Sequence, residues 1–289
     1  MKRITLALAI LAACLLSPGI VASEPARIFL AGDSTMAEKL PEKRPETGWG
    51  EMLQDWFVAD EVLVVNHAKN GRSTRTFIEQ GRWESLLGEL RPGDYVFIQF
   101  GHNDQSKSKP ERYTSPDHFR ANLLRFTSDV SEQDAIPVLL TPVVRRRFDD
   151  SGVFYDSHGA YPDLVREAAK QSGTALIDLN SRSTAFLEAY GEERSKNLFL
   201  WLEPGESANY PDGLEDNTHF SPGGARAMAS LVMQGIMENL PELAKSVQYL
   251  PGGIQHDSDI AKIDGGPHRG GGETLGHWFF ADHEEPQFV

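Results

Sequence analysis

Five short, largely apolar runs constrain this chain more than any other feature. They cover residues 27–31, 62–65, 95–100, 136–140 and 175–177. Each is continuous rather than alternating, the pattern of a strand buried on both faces. Helical spacing fills the intervals. Trp49, Met52, Leu53, Trp56 and Phe57 predict a helix over 48–57, and residues 73–80 predict a short one. Ser115-Pro116 opens a helix carrying Phe119, Leu123, Phe126 and Val130, and a helix over 162–172 is closed by Gly173. Ser221 can cap, and Pro222 suits the first turn of, a helix with a stripe of Ala225, Met228, Ala229, Val232 and Ile236. Apolar strands alternating with amphipathic helices predict an α/β fold: a five-stranded parallel sheet with helices on both faces. No internal repeat or linker interrupts residues 24–240.

The two ends read differently. Lys2 and Arg3 precede an apolar run from Ile4 to Leu16, and Val21-Ala22-Ser23 is a small-residue cleavage motif before Glu24. Residues 1–23 therefore read as a signal peptide, too short for a comfortable membrane span, and the protein is expected to be secreted or periplasmic. Leu11-Ala12-Ala13-Cys14 resembles a bacterial lipobox, which would make Cys14 a lipidation site. The residues after it stay apolar up to Ala22, so ordinary cleavage is the expectation. Cys14 is the only cysteine, so the mature chain has no disulfide, no thiolate metal site and no cysteine nucleophile. A domain over 24–246 is large enough to be stable on its core alone. Residues 247–289 are rich in glycine and hold His256, His268, His277 and His283. No pair of these has a regular ligand spacing, so the stretch reads as a loosely ordered extension rather than a metal-binding tail. The formal net charge of −14 argues against nucleic acid and anionic membrane surfaces as partners.

In a doubly wound sheet the site lies outside the carboxyl ends of the strands. Gly32-Asp33-Ser34-Thr35 follows the first run, and Asn66, His67 and Asn70-Gly71-Arg72-Ser73 follow the second. Gly101-His102-Asn103-Asp104 follows the third; Thr141-Pro142 and Arg145-Arg146-Arg147 follow the fourth. Asp216-Asn217-Thr218-His219 comes after the last strand, on what reads as a short loop. Acyl transfer needs a nucleophile, a base, a group that orients the base, and donors for the oxyanion. Ser34 can be the nucleophile, His219 the base and Asp216 its orienter. The backbone N–H groups of Ser34 and Gly71 and the Asn103 amide can face the oxyanion. Each element alone reads as an ordinary turn or cap. Their order at successive strand ends makes chance a poor explanation.

The chain resembles the SGNH (GDSL-type) hydrolases, marked by Gly-Asp-Ser, a glycine, an asparagine and Asp-x-x-His. Ser34, Gly71, Asn103 and His219 match the four signature positions and Asp216 the acid, over about residues 27–240. The resemblance implies a flavodoxin-like three-layer sandwich and neither metal nor organic cofactor. Gly-Asp-Ser-Thr, Gly-His-Asn-Asp and Asp-Asn-Thr-His-Phe are most similar to the rhamnogalacturonan acetylesterase branch, which deacetylates pectin. The expected substrate is thus an acetylated polysaccharide or oligosaccharide, with no obligate protein partner. The extension from Val247 has no counterpart in that pattern.

Arg145, Arg146 and Arg147 form a basic cluster in an acidic protein, suited to galacturonate carboxylates or else paired with Asp149 and Asp150. Trp201 and Tyr210, on what reads as a loop leading to Asp216, can stack on sugar faces or pack in the core. His67 and His102 are expected to be structural. The alternatives are an acetylxylan esterase, a lipase or thioesterase of the same family with an apolar acyl groove, and a carbohydrate-binding protein without catalysis.

Overall fold

The computed structural model describes residues 24–248. The expectations for the leader, for Cys14 and for the histidines of the extension lie outside the described residues. The strands are β1 (Ala26–Gly32), β2 (Val62–Asn66), β3 (Tyr95–Gln99), β4 (Ile136–Leu140) and β5 (Ala175–Ile177). They form one parallel sheet in the order β2-β1-β3-β4-β5. This is the expected sheet, and its strand order is the flavodoxin-like one. Chain order reverses at β1, which lies between β2 and β3. A crevice opens there, at the carboxyl ends of β1 and β3.

Alternation along each strand divides the core into two layers. Ile28, Leu30, Phe97, Val138, Leu140 and Ile177 face one side, where α5 (Leu179–Tyr190) and α7 (Pro222–Asn239) pack. Phe29, Ala31, Val96, Ile98 and Leu139 face the other. That side is covered by α1 (Thr74–Glu79), α2 (Arg82–Leu87), α3 (Pro116–Ser131) and α4 (Tyr161–Ser172). The short α6 (Glu192–Ser195) and α8 (Pro241–Ala244) complete the helices. None of the described helices is long and apolar enough to cross a membrane. The caps form where the sequence places them. Ser115 accepts from the His118 amide, Gly173 closes α4 at φ +68°, and Ser221 accepts from the Gly224 amide at 3.1 Å.

Several elements differ from the sequence reading. The expected helix over 48–57 is two 3-10 turns, Trp49–Met52 and Gln54–Trp56. Gly48 and Gly50 press against the backbone of Met36 and Ala37, so close approach to the turn after β1 sets this segment. Its Trp49, Leu53 and Phe57 are buried as the periodicity implies. Helices α2 and α5 were not anticipated. The Asp216–His219 stretch is a strand, not a loop: β7 (Leu214–Phe220) pairs antiparallel with β6 (Phe199–Leu202) as a separate two-stranded ribbon. At the far end, Val247 bridges Phe57 and the Gln248 amide donates to the Trp56 carbonyl at 2.9 Å. The packed body therefore extends at least to Gln248.

Helix α7 fixes the ribbon, because β7 runs into its cap. Gly224 in its first turn lies against the Leu198 carbonyl, which a Cβ there would approach to 1.7 Å. Gly224→Val should force the helix start off the β6 end and destabilise the fold by roughly 1–3 kcal/mol. Urea unfolding reads this directly. An unchanged midpoint would show that the first turn is free to shift.

Candidate active site

Ser34 sits on the turn that ends β1. The Asp33 carboxylate shapes that turn, its Oδ1 accepting from the Thr35 amide and hydroxyl, each at 2.9 Å. A buried chain extends inward: Gln99 Nε2 donates to Thr35 Oγ1 at 2.7 Å, and Trp49 Nε1 to Gln99 Oε1 at 2.9 Å. Lys39 secures the other side. Its buried ammonium donates to the Ser34 carbonyl and, at 3.0 Å, to Asn70 Oδ1, and pairs with Glu46 at 2.9 Å. Burial pushes Lys39 down from the usual lysine range, against the upward pull of Glu46.

Strand β7 presents the other two groups. Asp216 Oδ2 lies 2.7 Å from His219 Nδ1, and His219 Nε2 lies 2.9 Å from Ser34 Oγ. Asp216 Oδ1 accepts from the amides of Thr218 (2.7 Å) and His219 (3.1 Å), which fixes the carboxylate to its own strand. Burial pushes the Asp216 carboxyl up, but the His219 hydrogen bond, the His219 charge and the two amides outweigh it, and the group is held below the usual carboxylate range. An ionised carboxylate only accepts, so Nδ1 carries the proton, and in the neutral imidazole Nε2 is then the acceptor facing Ser34.

Arg146 and Trp201 hold the ribbon in place. Arg146 Nη1 donates to Asn217 Oδ1 at 3.1 Å, and Trp201 Nε1 donates to the same oxygen at 3.0 Å. The Arg146 amide donates to the Asn217 carbonyl at 2.8 Å. The rest of the guanidinium binds the Glu192 carbonyl and Ser195 Oγ and lies 5.0 Å from the Trp201 ring centre. The loop after β4 thus grips the residue between Asp216 and Thr218.

Gly71 and Asn103 stand on the facing wall. Gly71 has φ +76°, a left-handed conformation that suits glycine. The Asn103 Nδ2 donates to the Arg72 carbonyl at 2.9 Å, and its second N–H is left for the cleft. The cleft holds about 530 Å³. Ser34, His219, Gly71 and Asn103 line it with Glu46, Asn70, His102, Ser106 and Thr218, and Lys43, Lys109, Arg112 and Arg145 add positive charge. Behind it, His102 Nδ1 lies 3.2 Å from Asp33 Oδ2 and its ring meets His158 edge-on at 4.6 Å. Burial pushes both imidazoles down, His158 to about 4. Among the described residues no group of three or more His, Cys, Asp or Glu is arranged to hold a metal ion.

Residues 30–227 match the model of the GDSL-like lipase/acylhydrolase family. The chain belongs to that family. It is 45% identical over 215 residues to the rhamnogalacturonan acetylesterase RhgT of Bacillus subtilis (strain 168), covering 74% of this chain and 91% of that protein. It is 37% identical over 221 residues to the probable rhamnogalacturonan acetylesterase YesY of the same organism, covering 76% and 96%. In fold it is similar to Axe2, an acetylxylan esterase from Geobacillus stearothermophilus, with a TM-score of 0.52 and 18% identity over 74% of this chain and 95% of that one.

Of the site residues read from the sequence, Ser34, Gly71, Asn103 and His219 line one cleft, and Asp216 joins them through its bond to His219. The substrate candidates divide. Arg145 lines the cleft, although its guanidinium donates to the His102 carbonyl (3.1 Å) and Ser157 Oγ (3.2 Å). Arg146 is 6% exposed and faces the ribbon, and Arg147 is exposed away from the cleft lining. Trp201 is on β6 rather than a loop and serves Asn217, with Lys196 Nζ 4.8 Å from its ring centre. The Tyr210 hydroxyl donates to the Lys43 carbonyl at 3.1 Å. Trp201, Tyr210 and Arg146 are therefore occupied by protein partners and do not line the cleft. Lys39 and Glu46 were missed, having no local signature. Lys109 and Arg112 were also missed; a run of Lys107, Lys109 and Arg112 in an acidic chain was the available signal.

Two outcomes follow from this geometry. Arg146→Met keeps bulk over Trp201 but removes the donor to Asn217. It should lower turnover through a loosened His219 while raising the Michaelis constant little, which steady-state kinetics on a small acetyl ester resolves. Equal turnover would mean the ribbon holds without the arginine. The second concerns Asp104, fully buried, whose Oδ1 accepts from the Thr74 amide (2.9 Å) and hydroxyl (2.6 Å). Burial pushes its carboxyl up to about 7, against the lowering bonds from Thr74 and Thr114. An acid with a raised folded value stabilises fully below its unfolded value, about 3.9, and that stability is lost as pH rises through the folded value. Asp104→Asn should therefore gain on the wild type between about pH 4 and about 7. A difference in urea stability that stays constant with pH would show that the group does not titrate there.

Proposed function

We propose that this chain is an exported carbohydrate O-acetylesterase that removes acetyl groups from rhamnogalacturonan by Ser-His-Asp acyl-enzyme catalysis. The observation that carries the reading is the unbroken line from Ser34 Oγ through His219 to Asp216 in a polar cleft with four cations. In this mechanism Ser34 Oγ attacks the acetyl carbonyl carbon as His219 Nε2 takes its proton. The carbonyl oxygen becomes an oxyanion facing the N–H groups of Ser34 and Gly71 and the Asn103 amide. The imidazolium, steadied by Asp216, returns the proton to the departing sugar oxygen, leaving acetyl-Ser34. Water then attacks acetyl-Ser34 with His219 again as base, the bond from the acetyl carbon to Ser34 Oγ breaks as His219 returns the proton to that oxygen, and acetate leaves.

Two features support carbohydrate over lipid. The side chains lining the cleft are polar or charged throughout, where an acyl groove would be apolar. Its cations suit the galacturonate of a pectic polymer. The rhamnogalacturonan acetylesterase RhgT and the probable one, YesY, each match about three quarters of this chain. Export rests on the leader reading of residues 1–23.

Ser34→Ala and His219→Ala should each nearly abolish ester hydrolysis in a folded protein, a loss on the order of a millionfold in triad hydrolases. Asn103→Ala should lower the maximal rate by about 3 kcal/mol of barrier with little change in the Michaelis constant, because its second N–H meets an oxygen that is anionic only in the transition state and intermediate. Wild-type-like turnover in Ser34→Ala or His219→Ala sinks the mechanism. Acetate release from acetylated rhamnogalacturonan, acetylated xylan and a long-chain aryl ester, measured side by side, decides the substrate. Preference for either of the latter overturns the pectic reading.

A further inference from the structure

Arg112 is the one of the four cleft cations that is both withdrawn from water and without a hydrogen-bonded partner among the described residues. Lys43 and Lys109 are exposed at the rim, and Arg145 is committed to His102 and Ser157. The Arg112 side chain is 23% exposed, and its Nε is buried with no hydrogen-bond partner. The nearest carboxylate is Glu111, 3.8 Å from that Nε and itself 68% exposed. Taking a guanidinium this far from water without a bonded acceptor is unfavourable, so an acceptor supplied from the cleft is stabilised there.

The loop that carries it is fixed. The amides of Arg112 and Tyr113 donate to the Lys109 carbonyl at 3.1 and 3.0 Å. Arg75 clamps the same loop from α1, donating to the carbonyls of Pro110 at 2.9 Å and Tyr113 at 3.2 Å. The backbone from which the Arg112 side chain extends is thus held in position before any ligand arrives. The guanidinium lies beside Gly71: a Cβ on that glycine would stand 3.3 Å from Arg112 Nη1. The guanidinium and the proposed oxyanion donor are therefore immediate neighbours.

We propose that Arg112 binds a uronate carboxylate lying within one sugar ring of the scissile acetyl group, and so selects acetylated galacturonate-containing chains. A planar fork pairs with a carboxylate through two parallel bonds, which orients the ring as well as holding it. The carboxylate is charged before and during reaction, so the effect falls on binding rather than on the chemical step. This deepens the function proposed above and rests on it, and it moves uronate recognition from the 145–147 cluster to the loop after β3.

The experiment uses two inhibitors of p-nitrophenyl acetate hydrolysis: an unacetylated rhamnogalacturonan oligosaccharide, and the same oligosaccharide with its carboxyls reduced to alcohols. The ratio of their inhibition constants is taken within each protein, so a general disturbance of the site cancels. Wild type should favour the charged inhibitor, Arg112→Gln should lose roughly tenfold or more of that preference, and Arg112→Lys should keep part of it. An unchanged ratio in Arg112→Gln overturns the proposal, as does a wild type that does not prefer the charged inhibitor. A fall in turnover with the ratio intact also overturns it, since it would place Arg112 with the oxyanion donors. Acetate release by wild type from acetylated rhamnogalacturonan is measured separately. Its absence overturns the substrate reading, while the inhibition ratios still decide the role of Arg112.

Discussion

Ser34 and His219 are 185 residues apart in the chain and 2.9 Å apart in space, and most of the architecture serves that one hydrogen bond. The serine is delivered by the first strand of the sheet. The histidine arrives on a two-stranded ribbon outside the sheet, so the ladder that orders β1 cannot order it. The ribbon is instead anchored at three points. Helix α7 begins at its end, where Ser221 Oγ donates to the Asn197 carbonyl at 2.7 Å. The Thr47 amide donates to the Phe220 carbonyl at 3.0 Å, joining it to the segment after the Ser34 turn. Arg146 and Trp201 converge on Asn217 from the third side. Removing the freedom of the ribbon in this way would orient the proposed base before substrate binds.

Lys39 performs the matching task on the Ser34 side. One buried ammonium joins the Ser34 carbonyl, Asn70 next to Gly71, and Glu46. Glu46 in turn comes within 3.9 Å of His219 Nε2. The pair links all three walls of the cleft. A buried ion pair adds little net stability, because desolvation offsets its attraction, yet removing one partner typically costs 3–5 kcal/mol. Such a pair penalises any arrangement in which the walls drift apart. That property suits a site whose serine, glycine and histidine come from separate elements.

The parts legible in the sequence were those written in residue type. Apolar runs gave the parallel sheet, and the blocks around Ser34, Gly71, Asn103 and His219 gave the cleft, because strand ends in this topology share one rim. What could not be read was direction. Arg145, Arg146 and Arg147 are identical in type, yet one faces the cleft, one grips Asn217 and one faces solvent. Trp201 looked equally fit for sugar or core, and its role came from an indole N–H that reaches Asn217. The helix over 48–57 failed because Gly48 and Gly50 answer to a neighbouring backbone, not to helical periodicity. Strand β7 was obscured by its polar Glu-Asp-Asn-Thr-His run, since a ribbon that carries a site lacks the apolar alternation of a packed strand.

The charge distribution adds a constraint that no single residue shows. The chain carries −14 overall, while its cleft gathers Lys43, Lys109, Arg112 and Arg145 against Glu46. A polyuronate would be repelled by such a protein at long range. At physiological salt, charges beyond about 8 Å are largely screened, so that repulsion fades while contacts inside the cleft persist. On the proposed substrate, non-specific adhesion along an anionic polymer would thereby be suppressed, and attraction confined to the place where the ester would lie. In a cleft of this kind, selectivity depends on how far a cation is shielded from the screening solvent. Among the four, Arg112 and Arg145 are the shielded ones, and only Arg112 has its guanidinium left for a ligand.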